Sequence, residues 1–451
     1  MTRHGRNLRG RLARGLPLVL ATGALMVACT PSLAPDGAPS ASEGRSDASE
    51  PGPALVPQSA TSEPEPEPAP SRTATVVMSG DLLWHSGLWE TTAAVGARTG
   101  RLPYDFSELF AGMRPVIEGA DLAICHEEVP LSPDDQTPSG YPVFGAPQEV
   151  APAIAETGWD LCTISSNHSI DRGFAGIETT LREFDEVGVL HTGTFRSPEE
   201  RAMPTISTTA EGVRIAVVSG TYSTNGIPLP EGREWSVAML DAADMIARAE
   251  AAKAAGADIV LAAVHAGEEY VAEPNAQQIE LSEALTASDA IDLVYGHHVH
   301  VVQPWAIVNG KWVVYGLGNM IATPPVDYRR SHEGVTARFT FVEQPGGGFA
   351  VARAQYIPTL MDSYWAGQTP LLRHVTSALG AGEGVAADLE TALAVTHDVV
   401  FSLGVPEAPP MSEDPGPGAP PATGLSRRGL IGRERGASPQ ACQRRRAPAY
   451  S

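Results

Sequence analysis

The sequence has little positive charge and few aromatic side chains. Its 451 residues carry 31 Lys and Arg against 53 Asp and Glu, a formal net charge of −22, and 6% of the residues are aromatic. Setting aside five Arg within residues 3–14, and seven Arg and one Glu within residues 427–446, leaves 19 basic against 52 acidic side chains. A body this acidic has no basic stripe to neutralise phosphates, so we do not expect nucleic acid as a partner. The hydrophobic fraction of 43% is ample for a core and excludes wholesale disorder.

Two catalytic motifs are also missing. The chain has neither the Gly-x-Ser-x-Gly elbow of many serine hydrolases nor the Gly-x-x-x-x-Gly-Lys-Ser/Thr loop that cradles nucleotide phosphates. The sequence therefore argues against a serine hydrolase and against a nucleotide-driven ligase.

Cysteine is scarce, with four residues in the chain. Cys125 and Cys162 each lie in an apolar, strand-like run and lack the paired spacing of a zinc or redox site. Two interpretations stay open for them: two small buried hydrophobic residues, or a disulfide formed in an oxidising compartment.

The N-terminus has the pattern of a targeting signal. A short apolar run at residues 16–27 follows a basic stretch, which is typical of a secretory signal and too short for a spanning helix. The sequence Leu25-Met26-Val27-Ala28-Cys29 resembles a bacterial lipoprotein signal, with Met26 where Leu is common. We therefore expect an extracytoplasmic protein that is anchored to the bacterial cell membrane through lipidated Cys29. An ordinary secretory signal, which would give a secreted protein, is the alternative.

Composition divides the chain into five segments. They are a lipoprotein signal peptide (1–28), a disordered stalk rich in Pro, Ser and Glu (29–72), a folded body (73–360), a helical C-terminal extension (361–405) and a disordered tail rich in Pro, Gly and Arg (406–451). Because Pro-rich chain is extended, the stalk would hold the body away from the membrane.

The body alternates strand-like and helix-like segments. Short apolar, β-branched runs predict strands near residues 75–78, 121–125, 160–164, 213–218, 258–264, 291–295, 335–342 and 349–357. Helical spacing predicts helices over 106–117, 147–156, 177–184, 240–255 and 275–287. Asn309-Gly310 predicts a hairpin between 301–308 and 311–315. This order predicts an α/β fold with mixed sheets and helices outside them.

Polar side chains gather where the predicted strands end, which is where α/β folds bind ligands. Five such ends carry Asp81 and His85; His126, Glu127 and Glu128; Asn167, His168 and Asp171; His265, Glu268 and Glu269; and His297, His298 and His300. In an extended segment, His298 and His300 would point to the same side. Carboxylate, amide and imidazole donors without a thiolate predict a site for divalent transition metals such as Mn, Fe or Zn.

Six blocks of sequence carry a family resemblance. They are Ser79-Gly80-Asp81-Leu82-Leu83-Trp84-His85, the segment 121–131 with His126-Glu127-Glu128, Ser166-Asn167-His168-Ser169-Ile170-Asp171-Arg172-Gly173, the segment 265–270, the segment 296–304 with His297-His298-Val299-His300, and Tyr315-Gly316-Leu317-Gly318-Asn319. In this order they resemble the CapA family of capsule-synthesis proteins, named for poly-γ-glutamate capsules, within the calcineurin-like metallophosphoesterase superfamily. The resemblance implies a four-layer α/β sandwich with two divalent metal ions above the strand ends.

The same resemblance implies roles for individual residues. The implied metal ligands are Asp81, Glu128, Asn167, His265, His298 and His300. The implied catalytic residues are His168, as acid or oxyanion stabiliser, Asp171, as its orienting partner or else a turn residue, and Glu269. Two departures from the family pattern add candidate ligands. Leu83 takes the place of a His, with His85 two residues later, and His126 takes the place of an Asn, where it could bind metal, orient Glu128 or be a polar neighbour.

Two functions follow from the resemblance. The first is a metal-dependent hydrolase of phosphoester or amide bonds in capsule or cell-surface polymer metabolism, because two divalent cations can generate a nucleophile from water. The alternative is a non-hydrolytic accessory protein that binds an anionic polymer during export or attachment. The expected partners are an anionic cell-surface polymer or phosphoester substrate, the membrane, and other proteins of the capsule machinery.

Overall fold

The described part of the chain forms two β-sheets with helices on their outer faces. The structure is a computed structural model and describes residues 71–101, 103–325, 327–362, 371–405 and 411–413. The predicted signal peptide, the stalk up to residue 70 and the tail apart from 411–413 lie outside the described residues.

The elements follow one another as alternating strands and helices over most of the chain. The strands are β1 (Thr73–Leu82), β2 (Leu122–Glu127), β3 (Leu161–Thr163), β4 (Leu190–Thr192), β5 (Ile206–Thr208), β6 (Arg214–Thr221), β7 (Ile259–His265), β8 (Leu293–His297), β9 (Trp305–Val308), β10 (Lys311–Val314), β11 (Asn319–Ile321), β12 (Glu333–Glu343), β13 (Phe349–Asp362), β14 (Leu371–His374) and β15 (Met411–Glu413). The helices are α1 (Ser86–Thr99), α2 (Arg114–Glu118), α3 (Val150–Thr157), α4 (Gly173–Val187), α5 (Pro198–Ala202), α6 (Ala242–Ala254), α7 (Ala276–Ala287), α8 (Val375–Ala381) and α9 (Ala386–Val400). Within the described residues, no helix is both long enough and apolar enough to cross a bilayer.

Both sheets are mixed, as the sequence predicts. The first has the order β14-β13-β12-β1-β2-β3-β4, with β11 also paired to β1 and β15 to β13. Strands β1 to β4 are parallel, whereas β12 runs antiparallel to β1, β13 to β12 and β14 to β13. The second sheet has the order β5-β6-β7-β8-β10-β9, in which β6, β7, β8 and β10 are parallel.

Alternation of side chains along the strands produces four layers. In β1, Val76 and Met78 belong to the apolar layer between the two sheets, whereas Val77 packs with the helices on the outer face. In β7, Leu261 belongs to the same central layer and Val260 packs with α6 and α7 on the other outer face. The order helix, sheet, sheet, helix confirms the predicted four-layer α/β sandwich.

One predicted helix is wrong in its extent. Residues 107–113 form turns, and only α2 of the predicted helix 106–117 is helical. The carbonyl oxygen of Leu109 accepts a hydrogen bond from the Leu372 N–H of β14 at 3.1 Å, so this backbone pairs with a strand instead of continuing a helix. Phe110 is fully buried although it lies in a turn. The apolar spacing that predicted a helix here therefore comes from side chains that hold the turn against the core.

The predicted hairpin is present but shorter. Asn309 and Gly310 both have positive φ, 50° and 78°, as a type I′ turn requires. The hairpin pairs β9 with β10, so the first strand begins at Trp305 and not at residue 301.

Some of the described residues after 360 belong to the first sheet. Strand β13 runs on to Asp362, so the predicted extension 361–405 begins inside a strand. It also contains β14, which pairs with β13. Helices α8 and α9 bury Val375 and Leu389 against Leu360 of β13.

Cys125 and Cys162 form a disulfide. They are register partners on the adjacent parallel strands β2 and β3, with Cα atoms 4.5 Å apart, and both are buried. Of the two interpretations left open by the sequence, the disulfide is the one that the structure contains.

Candidate metal centre

The C-terminal ends of parallel strands from both sheets meet at one place. Asp81 lies near the end of β1 and His126 near the end of β2, while His265 ends β7 and His297 ends β8. Register pairs Asp81 with His126 in the first sheet and His265 with His297 in the second. All four side chains are buried, so residues far apart in the sequence converge on one site.

Asp81 is at the centre of this site. Its Oδ1 lies 2.7 Å from Nδ1 of His297, and its Oδ2 lies 3.4 Å from Nδ1 of His300. The ring of His126 stacks on that of His297 with centroids 4.0 Å apart, and its Nε2 lies 3.0 Å from Nδ1 of His265. Asp81, His126 and His297 each offer a donor atom within 4.8 Å of the other two.

His300 connects two further groups of donors. Its Nε2 lies 3.6 Å from Oε1 of Glu128, and Asp81, Glu128 and His300 form a group with donor atoms within 4.8 Å of one another. Glu269, His298 and His300 form another group by the same measure. Because the groups share Asp81 and His300, they are one continuous cluster.

The backbone around His298 and His300 is not extended. Their φ angles are 91° and 58°, both left-handed. The expectation that alternation along an extended segment brings the two imidazoles together is therefore wrong, although their ring centroids do lie 6.0 Å apart. Left-handed backbone costs a non-glycine residue about 1–3 kcal/mol and is concentrated at functional sites. The orientation of the two imidazoles is therefore set by a strained turn and not by the side-to-side alternation of a strand.

Several buried donor atoms in the cluster have no hydrogen-bond partner. They are Oε1 and Oε2 of Glu128, Nε2 of His297 and Nδ1 of His298. An unpaired buried polar atom costs about 1–3 kcal/mol, and an unpaired buried carboxylate costs more. A divalent cation would bind lone pairs of this kind, so the donor set fits a divalent transition metal.

Most imidazoles of the cluster are held neutral. Burial, reinforced by the neighbouring histidines, lowers the pKa of His126 and His265 well below the ordinary value. Burial and the charge of His300 lower the pKa of His298 to about 3. Neutral imidazoles are the form that binds metal, so these three rings are in a ligating state at neutral pH.

The charged groups of the cluster compensate one another. Burial alone would raise the pKa of Asp81, but hydrogen bonds with His297 and His300 hold it well below the ordinary value. Burial opposes a charge on His300, yet Glu128 and Asp81 raise its pKa to about 10. Burial raises the pKa of Glu128 well above the ordinary carboxylate value. Without metal, the cluster therefore holds protons that a cation would displace.

Asn167 extends the cluster toward a neighbouring loop. Its Oδ1 lies 2.8 Å from Nε2 of His265, and its Nδ2 donates to Oδ1 of Asn225 at 3.2 Å. The amide oxygen therefore faces the cluster, as a ligand would.

His168 and Asp171 lie together beside Asn167. Nδ1 of His168 is 2.7 Å from Oδ2 of Asp171, and the same carboxylate oxygen accepts the Phe144 N–H at 2.8 Å. The Phe144 ring packs edge-on against His168 with centroids 4.7 Å apart. Asp171 thus fixes the imidazole through one nitrogen and leaves Nε2 for other contacts.

His85 lies next to the cluster but in none of the convergent groups found in the described residues. Its Nδ1 accepts the Thr323 N–H at 3.2 Å, and its ring contacts Phe144 with centroids 5.5 Å apart. Burial, followed by the charge of His300, lowers its pKa to about 4. The sequence predicts His85 as a metal ligand. In the structure its Nδ1 is hydrogen-bonded to the backbone N–H of Thr323.

Two residues of the site were missed by sequence reasoning. His297 was left out of the ligand set, although it ends a buried strand just as His265 does, and that position was a usable signal. Asn225 links Asn167 with His168, with its Nδ2 3.5 Å from Nδ1 of His168. It lies in an irregular loop after β6, where no sequence pattern marks it.

Known proteins match the part of the chain that builds this site. The family model described as "Bacterial capsule synthesis protein PGA_cap" matches residues 75–324. "Capsule biosynthesis protein CapA" of Bacillus anthracis is 25% identical over 229 residues, which cover 48% of this chain and 54% of that protein. "PGA biosynthesis protein CapA" of Bacillus subtilis is 29% identical over 184 residues, which cover 39% of this chain and 45% of that protein. The chain spans about half the length of the curated relatives it matches.

Solved structures with a similar chain trace include enzymes. The calcineurin-like phosphoesterase YfkN from Bacillus subtilis aligns with a TM-score of 0.38 at 14% identity, over 72% of this chain and 100% of that chain. The NAD nucleotidase of Haemophilus influenzae aligns with a TM-score of 0.36 at 12% identity, over 77% of this chain and 58% of that chain. Similarity this low carries no information about chemistry. The family match, by contrast, covers more than half of the residues and all six blocks of the predicted resemblance, and the chain belongs to the bacterial capsule synthesis protein PGA_cap family.

Proposed function

We propose that the protein is a metal-dependent hydrolase of capsule or cell-surface polymer metabolism, of the poly-γ-glutamate type, and that lipidated Cys29 anchors it outside the cytoplasm. The observation that carries the hydrolase is the set of unpaired buried donors on Glu128, His297 and His298. Membership of a capsule synthesis family supports the polymer context. The anchor rests on the N-terminal sequence alone.

The proposed site divides into metal ligands and proton-handling groups. Divalent metal, bound as one or two ions, would supply Lewis acidity and a water-derived nucleophile. The residues that would hold it are Asp81, His126, Glu128, Asn167, His265, His297, His298 and His300.

His168 is the proposed general acid. Because Asp171 binds its Nδ1 at 2.7 Å, its Nε2 is free to hold a proton and deliver it to a leaving oxygen or nitrogen. Glu269 is exposed next to His298 and His300, where its carboxylate can orient the substrate or accept a proton.

Metal content and turnover of the full chain test this proposal together. The protein is loaded with Mn²⁺ and assayed against a panel of phosphoesters and γ-glutamyl amides. We expect His298→Ala to lose both bound metal, measured by mass spectrometry, and turnover. His191→Ala is the matched control, because His191 is a largely buried histidine that contacts Asp185 at 3.1 Å outside the cluster.

Metal-loaded protein that cleaves nothing in the panel would contradict the hydrolase. The second candidate is then a non-hydrolytic accessory protein that binds an anionic polymer through the metal. One relative supports it by name, the "Probable polyglutamine synthesis accessory protein" of Mycobacterium tuberculosis, 24% identical over 235 residues. This version requires that poly-γ-glutamate binding disappear when the metal is stripped.

A further inference from the structure

Exposed tyrosines surround the candidate metal centre. Tyr141, Tyr222, Tyr270 and Tyr328, together called the tyrosine rim, are 79%, 37%, 44% and 45% exposed. They come from four separate loops, and they are the exposed tyrosines among those that the structure describes. Exposed aromatic rings concentrated at one place on the surface mark a binding site.

Ring contacts tie the rim to the cluster. Tyr222 lies against His298 with centroids 4.6 Å apart, and Tyr270 lies 5.9 Å from His300. Tyr328 packs on Tyr270 at 4.6 Å. Tyr141 reaches the other side of the site through Phe144, at 6.3 Å. The rim therefore borders the metal donors on more than one side.

The backbone of Tyr270 is strained. Its φ is 66°, in the left-handed region that bulky residues avoid. Its N–H donates to the Val299 carbonyl oxygen at 2.8 Å, which fixes the strained turn to the loop between His298 and His300. The ring that this strain positions is nearly half exposed, so it is held ready for a ligand.

The rim is neutral and its surroundings are acidic. Tyrosine phenols are uncharged at neutral pH. Glu268, Glu269 and Glu273 are exposed around it in the same loop. The nearby Arg329 is paired with Asp388. Carboxylates this close to the rings disfavour an anionic group resting directly on them, whereas the electron-rich faces of the rings attract the electropositive C–H bonds of a neutral ring.

We propose that the tyrosine rim is a subsite for a neutral sugar ring attached to the phosphoester or amide on which the metal centre acts; this rests on the proposed function and narrows its substrate class. A sugar needs one aromatic face. Tyr270 and Tyr328 pack on each other with centroids 4.6 Å apart, so no slot between them admits a flat base, and a sugar would lie on the exposed part of the pair.

Ligand binding to the full chain tests the subsite. The His168→Ala variant is used because it lacks the proposed general acid, which prevents turnover, but keeps all the proposed metal ligands. It is loaded with Mn²⁺ and titrated calorimetrically with glucose 1-phosphate, glycerol 3-phosphate and adenosine 5′-monophosphate. We expect glucose 1-phosphate to bind about five- to tenfold more tightly than glycerol 3-phosphate, which has the phosphate without the ring. Tyr270→Ala or Tyr222→Ala should abolish that preference, whereas Tyr270→Phe should keep it. Met203→Ala, which removes an exposed apolar side chain elsewhere, is the control and should change nothing.

Each contrary result has its own meaning. Equal affinity for the two small phosphates, or a preference that survives Tyr270→Ala, would overturn the sugar subsite. Tighter binding of adenosine 5′-monophosphate that depends on the tyrosines would overturn it in favour of a base. If no phosphate binds with or without Mn²⁺, the phosphoester version of the hydrolase fails. The subsite is then tested by the binding of methyl α-glucoside, measured by saturation-transfer NMR. The wild-type protein should give a saturation-transfer signal, and Tyr270→Ala should lose it.

Discussion

Glu127 and Glu128 are adjacent and buried, but their surroundings differ. Oε2 of Glu127 accepts the Trp84 indole N–H at 2.9 Å and its Oε1 has no hydrogen-bond partner, whereas both oxygens of Glu128 lack a hydrogen-bond partner. We expect Glu128→Gln to weaken Mn²⁺ binding at least about 100-fold, because a ligating carboxylate is lost. Titration calorimetry of the full chain measures this.

Glu127→Gln is the matched control for that change. It keeps an acceptor for Trp84 and makes the same carboxyl-to-amide change one residue away, so Mn²⁺ affinity should stay within about twofold of the wild type. Equal losses in both variants would show that the effect is not specific to position 128, and would remove Glu128 from the ligand set.

His85 gives a pH dependence of stability. Its pKa is lowered to about 4 in the folded protein, against about 6.5 when unfolded. As pH falls below about 6.5, the unfolded state takes up this proton first, so the folded state loses up to about 1.4 kcal/mol per pH unit until about pH 4. Urea denaturation at several pH values should show a shallower dependence for His85→Gln. Parallel curves for the two proteins would contradict the assignment.

Sequence reasoning predicted which side chains gather at the strand ends because the buried strands are visible as apolar runs, and it failed where the backbone geometry is not periodic. The donors Asp81, His126 and His265 follow directly from buried strands. Asn225 lies in a loop with a left-handed φ of 52°, which no spacing rule predicts. The convergence of His298 and His300 was expected for the wrong reason, since a strained turn replaces the extended segment.

At the scale of elements, the disulfide joins the two strands that carry His126 and the loop of Asn167. Thr163, next to Cys162, contacts Nδ1 of His126 at 2.8 Å, so the link also supports the cluster. The disulfide closes a loop with a sequence separation of 37 residues. Loss of such a link typically costs about 3–4 kcal/mol.

We expect the double variant Cys125→Ala/Cys162→Ala to unfold at a lower temperature than the wild type, by calorimetry or circular dichroism. Reductant should lower the wild-type midpoint and leave that of the double variant unchanged. A midpoint equal to that of the oxidised wild type would show that the disulfide does not stabilise β2 and β3.

Element prediction succeeded for buried strands and failed for short or weakly patterned elements. Strands such as β7 are continuous apolar runs and were found within one or two residues. Helix α1 was not predicted, because its buried face includes Thr92 and Gly96. These residues interrupt the spacing of large apolar side chains by which a helix is recognised in a sequence. Strand β14 has four residues, too few for a period to show.

At the scale of the whole molecule, the fold class followed from the order of strands and helices, and the family from six short blocks. Neither required the exact boundaries. The N-terminal anchor stays a prediction, because Cys29 lies outside the described residues.

Cell fractionation tests that anchor. The full chain, produced in a bacterium with its own signal, should sediment with membranes and be released by detergent. Cys29→Ala should shift it to the soluble extracytoplasmic fraction, because the acyl chains are what holds it. Wild-type protein found free outside the cell would favour the ordinary secretory signal.

The pairing of β12 with β1 sets a limit on shortening the chain. The family match ends at residue 324, yet β12 covers one side of the strand that carries Asp81. Cutting the chain there would open a long row of unsatisfied amide and carbonyl groups along β1 and strip Phe339 and Phe341 from the layer between the sheets. Such a fragment would self-associate through the bared edge, so the smallest unit able to assemble the centre reaches well past the residues by which the family is recognised.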